Sequence, residues 1–209
     1  MPTNHSGHEQ HTVESLLGNT DIYLVDQIMK GRYNGGDRVL DAGCGEGRNL
    51  HWFVVNGIDV YGVDRDAASI ASLLGKYSGL SPEHFLVADV RAIPFGDNYF
   101  DAVISSAVLH FATREEEFFS MFGELARVLK RGGTMFLRMA TEVGVEHSIK
   151  PVHHGLYDLP DGSRRFLLTR QILAQITSSY PVMMIENFKT VVVNDARSMA
   201  VLLLQKLDY

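Results

Sequence analysis

Arg38-Val39-Leu40-Asp41-Ala42-Gly43-Cys44-Gly45-Glu46-Gly47-Arg48-Asn49 is an apolar run that ends in an acid and passes into three alternating glycines. An amphipathic segment follows, as far as Asn56. That order predicts a strand, a tight loop and a helix. The glycines leave no Cβ between backbone and ligand, and the helix start adds unsatisfied N–H groups, so a ligand is expected on the loop.

Apolar runs and helical patterns alternate onward from there. Strands are expected over 39–41, 59–64, 85–88, 100–105 and 134–139, with helices over 48–56, 67–77 and 114–129. Strict alternation requires crossover connections, hence α/β with a doubly wound, mostly parallel sheet and helices on both faces. After residue 139 the rhythm stops. Residues 140–168 are polar, contain glycine, proline and histidine, and are long enough to predict a substrate-side loop or lid. Thr169 then reads as the N-cap of a helix to Ile176, and the runs 182–193 and 198–206 meet at Asn194-Asp195 as an antiparallel hairpin.

Upstream, residues 1–12 are polar, and His5, His8 and His11 recur every third position. No second cluster completes a metal sphere, so they read as a solvated tail and no metal is expected. Asn19 or Thr20 is placed to cap a helix over 21–32 with an apolar stripe of Ile22, Val25, Ile28 and Met29, ended by Gly35-Gly36.

Of the 209 residues, 45% are hydrophobic and 21% charged, which suits one domain with a full core. Within it, 1–35 reads as tail and helix, 36–139 as the ligand-binding core, 140–168 as lid, and 169–209 as helix and hairpin. The net charge of −6 and the lack of a basic run argue against nucleic acid as a partner. One cysteine, Cys44, no signal pattern and no spanning apolar run lead to the expectation of a soluble, cytoplasmic monomer or homodimer without a membrane partner.

Ligands of open parallel sheets lie at the carboxyl ends of the strands. The first three end at Asp41, Asp64 and Asp89, and the fourth at Ser105-Ser106. An acid just ahead of the glycines repels a pyrophosphate and attracts an ammonium. Asp64 can accept from a ribose diol and Asp89 from an exocyclic amine, so the ligand carries an amine, a ribose and an adenine.

The pieces Val39 to Gly47, Val60 to Asp64, Ala88 to Phe95, Phe100 to His110 and Leu125 to Gly133 come in an order and at spacings that resemble the class I, seven-stranded S-adenosylmethionine-dependent methyltransferases of small-molecule type. The resemblance implies a Rossmann-like sheet of order 3-2-1-4-5-7-6, S-adenosylmethionine as donor, S-adenosylhomocysteine as product, and a small-molecule acceptor. It puts the methionine part against Asp41, Ala42, Gly43 and Gly45, with its amino group at the backbone around Ser105. It also puts the ribose on Asp64, the adenine beside Arg65, its amine on Asp89 and a ring nitrogen at the Val90 N–H. Gly47-Arg48-Asn49 and Gly57 to Val60 resemble the tellurite-resistance-type branch, although 140–170 carries no signature of it.

Methyl transfer needs alignment and exclusion of water, and a base only when the acceptor must lose a proton. His110, after the fourth strand, is the candidate base, with a packing or capping histidine as the alternative. Cys44 has no adjacent base and reads as packing, as do Trp52 and Phe53. Arg138, His153, His154, Tyr157 and Arg165 are candidates for recognising an anionic or polar acceptor, against a plain solvated loop. Two rivals remain. A nicotinamide oxidoreductase would need Gly-x-Gly-x-x-Gly, but the third glycine, Gly47, falls one residue early; a non-catalytic nucleoside-binding module would keep the same loop.

Overall fold

Residues 12–208 are described in this computed structural model. The strands β1 (Arg38–Ala42), β2 (Asp59–Asp64), β3 (Phe85–Val87), β4 (Phe100–Ser106) and β5 (Leu129–Thr141) pair in parallel. Val39 joins a core with Leu24, Phe53, Ile70 and Leu73, and the next residue, Leu40, joins another with Phe118, Phe122, Leu125 and Ile172. Successive side chains of a strand face opposite ways, so both faces of the sheet are covered. Short α1 (Val13–Leu17) is followed by α2 (Ile22–Met29), α3 (His51–Val55) and α4 (Ala67–Lys76), the last three feeding the first core. The helices α5 (Glu115–Val128) and α6 (Arg170–Ser179) feed the second. Thr169 caps α6 as expected, its hydroxyl accepting the Ile172 N–H at 3.1 Å.

The alternation does stop after β5. The segment expected as a substrate-side loop or lid holds three short strands, β6 (Lys150–His153), β7 (Leu156–Asp158) and β8 (Arg164–Phe166), which form a separate antiparallel sheet. The backbone at its first turn, His154 and Gly155, is left-handed at both residues. Further on come β9 (Val182–Met184), β10 (Lys189–Val193) and β11 (Arg197–Lys206). β11 lies antiparallel between β5 and β10, giving the order β3-β2-β1-β4-β5-β11-β10, which is the expected 3-2-1-4-5-7-6. Asn194 and Asp195 have φ of 51° and 50°, the left-handed pair that joins twisted hairpin strands.

Several boundaries differ from expectation. The run 182–193 is two strands, because Glu186 leaves the sheet to accept from Lys30, Arg32 and Lys189 at 2.6–2.9 Å; β9 then pairs with the far end of β11. The helix after the glycine loop is only α3, since turns continue as far as Leu50. The N-cap of α2 is Asp21, not Asn19 or Thr20. Its N–H is held by Asn49 Oδ1 at 3.1 Å, and this turns Leu24, Gln27 and Ile28 inward with it. The predicted stripe therefore fails at its ends, with Ile22 71% and Met29 83% exposed. His5, His8 and His11 lie outside the described residues. No described helix is long and apolar enough to cross a membrane.

Candidate functional site

Two cavities open side by side at the carboxyl ends of the parallel strands. The first is lined by Gly43, Asp64, Arg65, Asp89 and Val90, together with Ala88, Ala107, Val108, Phe111, Glu117 and Met121. The local chemistry explains its floor. Gly43 and Cys44 N–H both donate to the Val63 carbonyl, at 2.8 and 3.0 Å, and Gly45 N–H donates to Asp64 Oδ2 at 2.8 Å. The loop is thereby tied to the end of β2. Gly43 has φ of 82°, and a Cβ there would run into the Val108 side chain, so glycine is required on both counts. Cys44 is buried with its Sγ against Gly62; burial and the nearby Asp41 and Asp64 push its thiol pKa up, which keeps it an inert packing group.

Asp41, Ala42 and Ser105 are buried, and neither they nor Gly45 line this cavity. Among the described residues neither carboxylate oxygen of Asp41 has a hydrogen-bond partner, and the Ser105 hydroxyl has none either. Burial pushes the Asp41 pKa up to about 7, with Arg48 opposing and Asp64 adding to the rise. A buried, unpartnered acid at the ligand loop is a standing attraction for a cation. Asp89 is engaged differently. Arg91 forks onto it at 2.9 and 2.7 Å and holds its carboxyl below the usual range, while Arg91 also reaches Glu117 at 3.2 Å.

The second cavity is lined by Ala107, His110, Arg138, Asp161, Ser163, Arg165 and Arg197, with Ala140, Leu159, Val193 and Met199. Among the described residues Ala107 is the one that lines both cavities. Its φ of 63° turns the chain out of β4 immediately after the last β4–β5 pair, Ser106 with Arg138. Beyond that point the Ala140 N–H is met by His110 Nδ1 at 3.3 Å. His110 is buried in a single 3-10 turn, Leu109–Phe111, and burial together with Arg165, Arg138 and Arg197 lowers its pKa to about 4.

The arginines are held apart from one another. Arg138 Nη1 lies 3.1 Å from Asp21 Oδ2, and its buried Nε has no partner. Asp21, whose side chain is 3% exposed, also accepts from Ser106 Oγ at 3.3 Å and faces Arg48 Nη2 at 3.6 Å. Arg165 donates to the Arg164 carbonyl at 2.7 Å and lies 5.0 Å over the Phe111 ring. Arg197 Nη1 is 3.9 Å from Asp161 Oδ2, and Asp161 is itself bound by the Ser163 N–H and hydroxyl.

The structure thus brings Arg138, Arg165 and His110 into one cavity. It does not bring His153, His154 or Tyr157 there. The two histidines are exposed at the β6–β7 turn, their rings 5.3 Å apart, and Tyr157 packs beside Ala140, Leu159 and Met199. Asp21, Arg48, Asp161 and Arg197 were not singled out from the sequence. Asp21 and Arg48 are linked to the cavity through Arg138 without lining it, and Asp161 and Arg197 reach it from the turn between β7 and β8 and from the hairpin, which no local pattern shows.

Residues 40–137 match a family model described as a methyltransferase domain. The chain is 32% identical over 98 residues to the malonyl-[acyl-carrier protein] O-methyltransferase of Enterobacter lignolyticus, a match covering 47% of this chain and 37% of that protein. It is 36% identical over 98 residues to a tRNA (carboxymethyluridine(34)-5-O)-methyltransferase of Xenopus tropicalis, covering 47% of this chain and 14% of that one. The chain therefore spans well under half the length of these relatives. Its fold superposes on that of an S-adenosylmethionine-dependent methyltransferase from Methanosarcina mazei with a TM-score of 0.69 and 21% identity, over 86% of this chain and 97% of the other. None of these three carries the name of the tellurite-resistance branch, which rests on the sequence resemblance alone. The strand order, the glycine loop with its strand-end acids and the family match over residues 40–137 agree in supporting a class I S-adenosylmethionine-dependent methyltransferase.

Proposed function

We propose that this protein transfers a methyl group from S-adenosylmethionine to a small-molecule acceptor. The observation that carries the reading is Asp41, buried below the ligand loop with both oxygens unpartnered. Its charge complements a cationic amino-acid end and opposes a pyrophosphate. Around it the residues fit the donor. Gly43 and Gly45 leave the backbone open to the methionine part, and Asp64 keeps lone pairs for a ribose diol. Arg65, Asp89 and Val90 border the adenine end. Bound there, the donor supplies an electrophilic methyl group on a sulfonium. The chain's own share is to orient that group towards Ala107 and to keep water out.

A small-molecule acceptor is supported by the second cavity, which adjoins the first at Ala107. The chain's net charge of −6 disfavours a tRNA, whose phosphates would be repelled. The names of the two curated relatives both describe O-methylation, one of a malonyl group and one of carboxymethyluridine. We take the reaction to be cytoplasmic.

Calorimetric titration tests the donor assignment. S-adenosylmethionine and S-adenosylhomocysteine are expected to bind and NAD to be ignored; the reverse would sink the reading. Formation of S-adenosylhomocysteine over a panel of carboxylic acids, amines, thiols, selenite and tellurite then tests turnover.

A further inference from the structure

We propose that the second cavity binds the acceptor through a carboxylate, held by Arg138, Arg165 and Arg197, and that the product is a methyl ester of that carboxylate. This rests on the donor reading above and adds the acceptor's chemical class.

Charge makes the first argument. Three guanidiniums border the cavity against one lining carboxylate, Asp161. Asp161, 3.9 Å from Arg197, offsets one positive charge, and Asp21, 3.1 Å from Arg138, is shared with Arg48, so a positive excess remains. Among the described residues Arg138 offers a buried Nε with no partner, and Arg165 is bound only to a backbone carbonyl and an aromatic face. Guanidiniums match the two oxygens of a carboxylate and repel an ammonium acceptor.

Protons make the second argument. A hydroxyl acceptor must lose one, yet among the described residues the cavity holds no group suited to take it near neutral pH. With Nδ1 accepting from the Ala140 N–H, the neutral His110 ring carries its proton on Nε2 and is a donor there. Asp161, bound by Ser163, is held below the usual carboxylate range. A nucleophile that arrives already ionised, as a carboxylate does at pH 7, needs no such group. In the reaction the carboxylate oxygen forms a bond to the methyl carbon while the methyl–sulfur bond breaks, and the electron pair leaves with sulfur. An anion and a sulfonium become an ester and a thioether, with no proton transferred. Ala107, common to both cavities, is where the two groups meet.

The test uses the full chain with S-adenosylhomocysteine bound, titrated with benzoate and glutarate and with benzamide and glutaramide. At least one acid should bind about tenfold or more tighter than its amide, and Arg165→Gln and Arg197→Gln should each weaken it about tenfold. S-adenosylhomocysteine affinity should not change in either variant. Acids binding no better than amides, or both variants indifferent, overturn the carboxylate assignment while product binding still supports the donor site. Loss of product binding in the wild type overturns the donor reading itself. As a second readout, tritiated S-adenosylmethionine is incubated with these acids and a pool of cellular metabolites. Label released as methanol by mild base is the expected ester; base-stable label alone, or none, counts against it.

Discussion

Asp64 Oδ2 accepts the Gly45 N–H at 2.8 Å, while its Oδ1 accepts the Asp66 N–H at 2.9 Å. One carboxylate thus fastens the glycine loop to the end of β2 and orders the entry to α4. It has about four acceptor positions, so two remain for a vicinal diol.

Replacing Asp64 by alanine removes both the loop tether and the proposed ribose contact. We expect S-adenosylhomocysteine to bind about 1.5–3 kcal/mol more weakly, roughly 10- to 150-fold in Kd. Calorimetry checks this, and an unchanged Kd would count against the contact.

Asp41 makes a prediction whose sign depends on pH. Its folded value, about 7, stands above its ordinary 3.8, so between these values the folded chain holds a proton that the unfolded chain has released. Stability therefore falls as pH rises from about 4 to about 7, and the cost is fully present above that range. Asp41→Asn should raise the Tm of the ligand-free protein at pH 8, with the gap closing at acid pH. The same variant should weaken donor binding, and wild-type binding should release a proton near pH 7. Thermal scans and calorimetry in buffers of different ionisation heat test all three.

His110 is neutral in the fold, its value of about 4 lying below the ordinary 6.5. The stability this confers is complete above about pH 6.5 and is lost as pH falls towards 4, because the unfolded chain then takes up the proton first. Wild type should lose more stability than His110→Gln across that interval. With both substrates saturating, kcat should show no limb between about pH 6 and 7. A limb there that disappears in His110→Gln would restore the base role.

Asp21→Asn keeps the size and capping ability of the side chain but removes the charge facing Arg138 and Arg48. The pair is partly hydrated through Arg138, whose side chain is 21% exposed. A loss of about 1–3 kcal/mol in urea unfolding is expected, together with weaker discrimination among acceptors. An unchanged midpoint and unchanged selectivity would show Asp21 to be a cap and nothing more.

The sheet was legible because its strands are buried on both faces and read as unbroken apolar runs, and the turn Asn194-Asp195 announced its hairpin. The strand-end positions of Asp41, Asp64 and Asp89 were legible for the same reason, since each stands where an apolar run stops. Other features depended on long-range contacts. The rotation of α2 is set by Asp21 meeting Asn49 and Arg138, which no periodicity within 21–32 can reveal. The small sheet over 150–166 has strands of three or four residues, too short for alternation to rise above the noise. Its clearest local sign was His154-Gly155, a left-handed pair that could have been read as a hairpin turn. Arg197 needed the whole topology, because only the insertion of β11 beside β5 brings the hairpin corner to the end of β4.

Ala107 has one further consequence. Apart from this single alanine, the two cavities share no lining residue among those described. The first draws on positions 43–121, whereas much of the wall of the second comes from 159–199. On the proposed reading of the two cavities, acceptor preference can drift through the small sheet and the Arg197 corner without disturbing donor capture. Grafting that later stretch between related chains becomes a direct way to exchange what is methylated while the methyl source stays the same.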